Sequence, residues 1–217
     1  SPSACKNVLL DNPTTELGEQ LRALVGKYRC TSVTLKAGTT WTWNSLVAVR
    51  AFQSLLVTGE GWTSGANNLT VTINMTNNPT YNTTHRGPAR LMITGIAPSF
   101  TLTGVRINET QGDTRPYAGC GTGGLVSAGD ASYGVISIDQ SRITSTVHVV
   151  GVGMRSDINV RFGHTYIDTQ PSGRAIFAVA LSNEECFAGS RVLVHGSHTY
   201  LGPQVTYQAS PKIIISD

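Results

Sequence analysis

Apolar and polar positions alternate along this chain with two periods, and the change from one to the other happens once, near residue 30. Before it, Leu17, Leu21, Leu24, Val25 and Tyr28 recur at i, i+4, i+7, i+8 and i+11, a single apolar stripe on a helix. Asn12-Pro13 and Thr14-Thr15 supply a cap and a first-turn proline, and Glu16 and Glu19 place acid at the positive end. The spacing predicts a helix from Pro13 to Tyr28, with Leu17, Leu21 and Leu24 buried. After it the period is two. Val33/Leu35, Val47/Val49, Leu69/Val71/Ile73, Leu91/Ile93, Phe100/Leu102, Ile136/Ile138, Ile158/Val160 and Val192/Val194 each read as a short strand. Gly, Asn, Ser, Thr and Asp separate them, residues suited to turns with unusual backbone angles. One helix ahead of many strands predicts a cap, residues 1–31, on an all-β body, residues 32–217. The paired apolar residues should face one continuous core.

Three strands share a longer pattern. Ile136-Ser-Ile-Asp-Gln-Ser-Arg, Ile158-Asn-Val-Arg-Phe-Gly-His and Val192-Leu-Val-His-Gly-Ser-His each run apolar, polar (Leu193 in the third), apolar, charged, variable, small, basic. Phe100-Thr-Leu-Thr-Gly-Val-Arg is a looser copy, and successive starts lie 36, 22 and 34 residues apart. About 22 residues suit one turn of a parallel β-solenoid, and longer intervals suit a turn carrying a loop. A sandwich of many short strands is the alternative. In a solenoid the alignment stacks Asp139, Arg161 and His195 in one outward column and Arg142, His164 and His198 in a second. His164-Thr-Tyr166-Ile and His198-Thr-Tyr200-Leu nearly repeat each other beside them.

The helix followed by Val33-Thr-Leu-Lys-Ala-Gly-Thr-Thr-Trp41 and Leu55-Leu-Val-Thr-Gly-Glu-Gly61 resembles the opening coils of right-handed parallel β-helix proteins. Ile93-Thr-Gly95 and Phe100-Thr-Leu-Thr-Gly-Val-Arg-Ile107 are similar to their repeating coils. This is the pectate-lyase-like superfamily, which includes bacteriophage tailspikes. The resemblance covers most of the chain and implies an all-β, right-handed parallel β-helix with an N-terminal capping helix. It also implies traffic with polysaccharide, by binding, hydrolysis or lysis, and for virion members a homotrimer.

Composition narrows the partners. Only 13% of residues are charged, and Thr, Ser, Asn and Gly leave neutral polar faces. A net charge of +3 leans gently towards anionic glycans. No Lys/Arg cluster or basic helix suggests nucleic acid, and no apolar run approaches the roughly 18 residues of a membrane span. The start carries no signal-peptide pattern, and Ser1-Pro2-Ser3 reads as a trimmed mature end or an engineered start, so secretion is not judged from it. Cys5, Cys30, Cys120 and Cys186 permit three pairings, none with C-x-x-C spacing, so a zinc site or redox dithiol is not expected. Cys5–Cys30 would tie the N-terminal segment across the helix and Cys120–Cys186 would staple two loops. Both bonds together would imply an extracellular or virion surface, whereas buried thiols would not. Four sequons, at Asn68, Asn74, Asn82 and Asn108, follow from a composition rich in Asn and Thr.

The candidate ligand-binding residues are Arg161, His164, Tyr166, His195, His198 and Tyr200, with Asp139 beside them. Aromatic faces stack on sugar C–H surfaces, and Arg and His hydrogen-bond hydroxyls or carboxylates. A polar ladder that merely solvates the wall would use the same residues. Glycoside hydrolysis needs two carboxyl groups, for which Asp139, Asp157 and Asp168 are the candidates and Glu184-Glu185 reads as a solvated turn. The clustered Asp pairs and Gly-His-Gly of polygalacturonase-like enzymes are absent, Gly163-His164-Thr165 matching them only in part. The calcium-binding aspartates of pectate lyases are not visible either. Trp41 and Trp43 face one side of a strand, to fill the core or to offer a sugar platform. The expectation is a carbohydrate- or cell-surface-binding module without metal or cofactor, a virion spike, tail-fibre tip or secreted adhesin. A lyase or hydrolase, and a structural virion decoration, are the alternatives.

Overall fold

The computed structural model describes residues 4–62, 68–76, 90–110, 125–129, 131–145, 149–152, 155–169, 176–178, 191–197, 200–201 and 213–216. The chain opens with β1 (Lys6–Leu10) and α1 (Leu17–Val25), then winds through triplets of short strands. The first coil is β2 (Cys30–Leu35), β3 (Thr40–Thr42) and β4 (Val47–Val49), and the second is β5 (Ser54–Gly59), β6 (Thr72–Met75) and β7 (Leu91–Ile93). The third is β8 (Ile96–Thr103), β9 (Arg106–Glu109) and β10 (Val126–Ala128). The fourth is β11 (Tyr133–Asp139), β12 (Arg142–Ser145) and β13 (Val150–Val152). The fifth is β14 (Asp157–Gly163), β15 (Tyr166–Thr169) and β16 (Ile176–Ala178). Last come β17 (Arg191–Ser197), β18 (Tyr200–Leu201) and β19 (Ile213–Ser216).

Equivalent strands of successive coils pair in parallel and make three walls. Sheet A runs β1-β2-β5-β8-β11-β14-β17-β19, sheet B runs β3-β6-β9-β12-β15-β18, and sheet C runs β4-β7-β10-β13-β16. The chain is therefore an all-β parallel β-helix, and the antiparallel sandwich is excluded. The period of two explains the walls: in each strand alternate residues enter the lumen, where burial of a Val, Ile or Leu side chain contributes about 1.5–3 kcal/mol. Val33, Leu35, Phe100, Leu102, Ile136, Ile138, Ile158 and Val160 all lie in one buried core with Val47, Val49, Leu91 and Ile93. The side chains of Val192 and Val194 lie outside the described ones. Trp41 and Trp43 are buried too, their indole N–H groups donating to Thr39 Oγ1 and the Ser45 carbonyl, so neither is a sugar platform.

The helix is shorter than its stripe predicts, ending at Val25, with Tyr28 exposed beyond it. Leu17, Leu21 and Val25 are buried against the first coil, and Leu24 is only partly so. Its N-cap is Glu16 rather than Asn12 or Thr14. The Glu16 carboxylate accepts from the Glu19 amide inside the helix at 2.7 Å, from the Ser45 amide at 2.9 Å, and from the Asn44 amide and Ser45 hydroxyl. One side chain thus caps the helix and pins it to the turn between β3 and β4. Gly18 permits that approach: a Cβ there would stand 2.5 Å from Ser45 Oγ and 2.8 Å from Trp43 Cδ1. Sheet A continues past this cap, because β1 pairs with β2 ahead of the helix. A Cys5–Cys30 disulfide fixes that outer strand. Cys120, Cys186, Glu184, Glu185 and Asn82 lie outside the described residues.

Candidate functional site

The turns between sheets A and B set the register on which any surface site depends. Gly104, Gln140 and His164 occupy equivalent places there with φ of 70°, 50° and 46°. Inside the same corner, Ser141 donates to the Asp139 carbonyl at 2.8 Å and Thr165 to the Gly163 carbonyl at 2.8 Å, so the buried hydroxyls satisfy the bend. Gln140 and His164 both adopt the left-handed conformation, which costs a non-glycine residue about 1 kcal/mol. Two such turns fix the fourth coil at 24 residues from Gln140 to His164, two more than the repeat spacing predicts.

That difference moves the predicted columns. Asp139 stands opposite Gly163, not Arg161, and its carboxylate lies over the space a Gly163 side chain would need. Arg161 stands between Ser137 and His195, so only the Arg161–His195 part of the first column forms. Arg142 stands opposite Tyr166, not His164. A slip of two preserves which face a residue occupies, which is why the core prediction survives it. His164 is exposed on the ridge of the A–B corner. His198 lies outside the described residues, and Tyr200 stands in β18 opposite Tyr166, its side chain not among the described ones. The predicted residues therefore wrap a corner: Asp139, Arg161 and His195 on sheet A, His164 on the ridge, Tyr166 on sheet B.

Sheet B carries the stronger assembly. Its outward side holds a straight column, Thr40, Thr72, Arg106, Arg142, Tyr166, and beside it a second, Thr42, Asn74, Asn108, Thr144, Asp168. Adjacent members are about 4.8 Å apart because that is the strand spacing. The Arg142 guanidinium lies over the Tyr166 ring, 4.5 Å from its centroid. In the neighbouring column the Asn108 amide donates to Asn74 Oδ1 at 3.4 Å, a use for these sequon asparagines that requires no attached sugar. Arg106, absent from the predicted site, was hidden because its coil reads as the loosest copy of the repeat.

The three candidate acids do not meet. Asp157 opposes Tyr133 at the start of β11, whereas Asp139 ends that strand. Six residues of extended chain separate the two rows by about 20 Å, beyond the roughly 5–9.5 Å of a glycosidase carboxyl pair. Asp168 faces outward from sheet B, round the corner from both, opposite Thr144. Among the described residues no three His, Cys, Asp or Glu side chains gather as ligands for a metal ion, and no helix is long and apolar enough to cross a membrane.

No family model matches the chain, and no curated protein matches it. Among solved structures it is similar to the pectin methylesterase from Aspergillus niger in deglycosylated form. The match covers 99% of this chain and 84% of that one, at 14% identity and a TM-score of 0.45. At that identity and score no residue role passes from one chain to the other.

Proposed function

We propose that this chain is a carbohydrate- or cell-surface-binding module whose receptor face is the outer wall of sheet B, reaching round the A–B corner to His164, Arg161 and His195. The observation that carries it is the Arg142–Tyr166 stack, set in an outward column beside the Asn74–Asn108 pair. An aromatic ring and a planar guanidinium offer surfaces for sugar C–H faces, and the amides and hydroxyls next to them donate and accept as sugar hydroxyls require. The wall is rigid because β6, β9, β12 and β15 are each paired to the coil above and below, so little order must be gained on binding. The Cys5–Cys30 disulfide supports an extracellular or virion-surface setting. A role as a spike or tail-fibre receptor-binding domain, and assembly as a trimer, belong to the same proposal and rest on the sequence resemblance.

The test is glycan-array screening of the wild type, followed by titration of the best hit against Tyr166→Ala. Loss of roughly tenfold in affinity, as expected for removing one stacking surface and its cation–π partner, with an unchanged thermal melt supports the proposal. Undiminished binding overturns it. The glycan should also emerge at its original length; depolymerisation that Asp139→Asn abolishes would establish the hydrolase or lyase alternative.

A further inference from the structure

The geometry points to an acidic carbohydrate as the ligand of this face, its carboxylate or sulfate ester held jointly by Arg106 and Arg142. This rests on the glycan-binding reading above and specifies its chemistry. Arg106 and Arg142 stand directly opposite each other on β9 and β12. Like charges in that relation repel and destabilise a sheet pair. An arginine ladder of purely structural use would be expected to alternate with acids, and this one does not. Thr72 flanks Arg106 and Tyr166 flanks Arg142 in the column, and the adjoining column gives Asn74, Asn108 and Thr144.

Among the described residues the one acid on the same stretch of wall is Asp168, opposite Thr144 and displaced towards the Tyr166 end. Glu109, two strand positions beyond Ile107, turns into the lumen. Arg106 shows the consequence: its Nε is buried and has no hydrogen-bond partner. Arg142 is already oriented by the Tyr166 ring. A guanidinium presents paired N–H groups in a plane that matches carboxylate, sulfate or phosphate bidentately, and a bond to a charged group is about twice as strong as a neutral one. One oxyanion between the two arginines relieves their repulsion and uses their donors. Sugar hydroxyls on either side then meet Asn74, Asn108 and Thr144.

The test compares matched probes by titration calorimetry at low and at physiological salt: a polyuronate with its carboxyl-reduced neutral form, and dextran sulfate with dextran. An acidic probe is expected to bind at least tenfold more tightly than its neutral partner, the difference shrinking with salt. Arg106→Gln and Arg142→Gln should each lower acidic binding about tenfold, the effect of one charge-assisted bond. Arg142→Lys should recover only part of it, because the charge stays while the planar fork is lost. Equal binding of neutral and acidic probes, sensitive to Tyr166→Ala, overturns the acidic ligand while leaving the glycan reading in place. Binding of no probe, with the array also negative, overturns both. Acidic binding that survives both Gln substitutions places the anion elsewhere and overturns the assignment.

Discussion

Arg90 and Arg142 are the same residue type in opposite settings, one inside the coil and one on its outer surface. Arg90 is fully buried immediately before β7, in the corner where sheet B passes to sheet C, and Glu109 at the end of β9 is 2% exposed. Burial lowers the pKa of Arg90, and the Glu109 carboxylate works against that. Ser145 Oγ adds a contact to Glu109 at 3.5 Å. Arg90 is the residue before β7 and Glu109 the last of β9, so the charges join the ends of two strands at this corner. Arg142 stands outside, stacked on Tyr166, with no acid paired to it among the described residues. The inner charge is committed to the fold, the outer one is available to a ligand.

Breaking the inner member should have the largest effect. Arg90→Met leaves Glu109 without its counter-charge in a low-dielectric corner and should cost about 3–5 kcal/mol. For a chain of this size that lowers the melting temperature by roughly 10 °C. Adding Glu109→Leu should restore much of the loss, because apolar pairs often replace a buried ion pair without penalty. A single Arg90→Met variant that melts with the wild type would show that this corner is held by other contacts.

The next effect lies in the cap and depends on pH. Burial raises the pKa of the Glu16 carboxyl, but the hydrogen bonds from Ser45, Asn44 and Glu19 outweigh it and leave the group below its ordinary 4.5. A lowered folded-state pKa means stabilisation fully present above the unfolded value and lost as pH falls through the folded one. Glu16→Gln should therefore melt below the wild type at pH 7, by about 1–2 kcal/mol as expected of a helix cap. The gap should close as pH drops below 4.5. A gap that is constant with pH would mean that the carboxylate charge is immaterial to the cap.

The core was legible because inside and outside alternate strictly, and any register that keeps the alternation buries Ile136, Ile138, Ile158 and Val160 alike. The surface was not legible for the same reason. A spacing of 22 or 24 residues satisfies the core equally, and only the turns at Gln140 and His164 choose between them. Gly104 announces such a turn, but Gln140 and His164 carry no comparable sign. Glu16 read as a first-turn acid because the donors that make it the cap, on Asn44 and Ser45, are nearly thirty residues away. The near-repeat in the sequence singles out Tyr166 and its neighbour His164, whereas Arg106 comes into the column only through the register itself.

The smallest expected effect is the sharpest test of the comparison. Arg142→Gln removes a cation–π contact worth about 0.5–1 kcal/mol at an exposed site. It also removes the repulsion with Arg106, a term of similar size and opposite sign. The two should cancel to within about 0.5 kcal/mol, the ordinary range for a surface change, so the melting temperature should hardly move. High salt separates the two terms, because it screens the repulsion between the two half-buried guanidinium groups more than the ring contact. The wild type should accordingly gain slightly on Arg142→Gln as salt rises. If instead Arg142→Gln destabilises the chain as strongly as Arg90→Met, the outer arginine is holding the wall together, and the separation of structural from available charge fails.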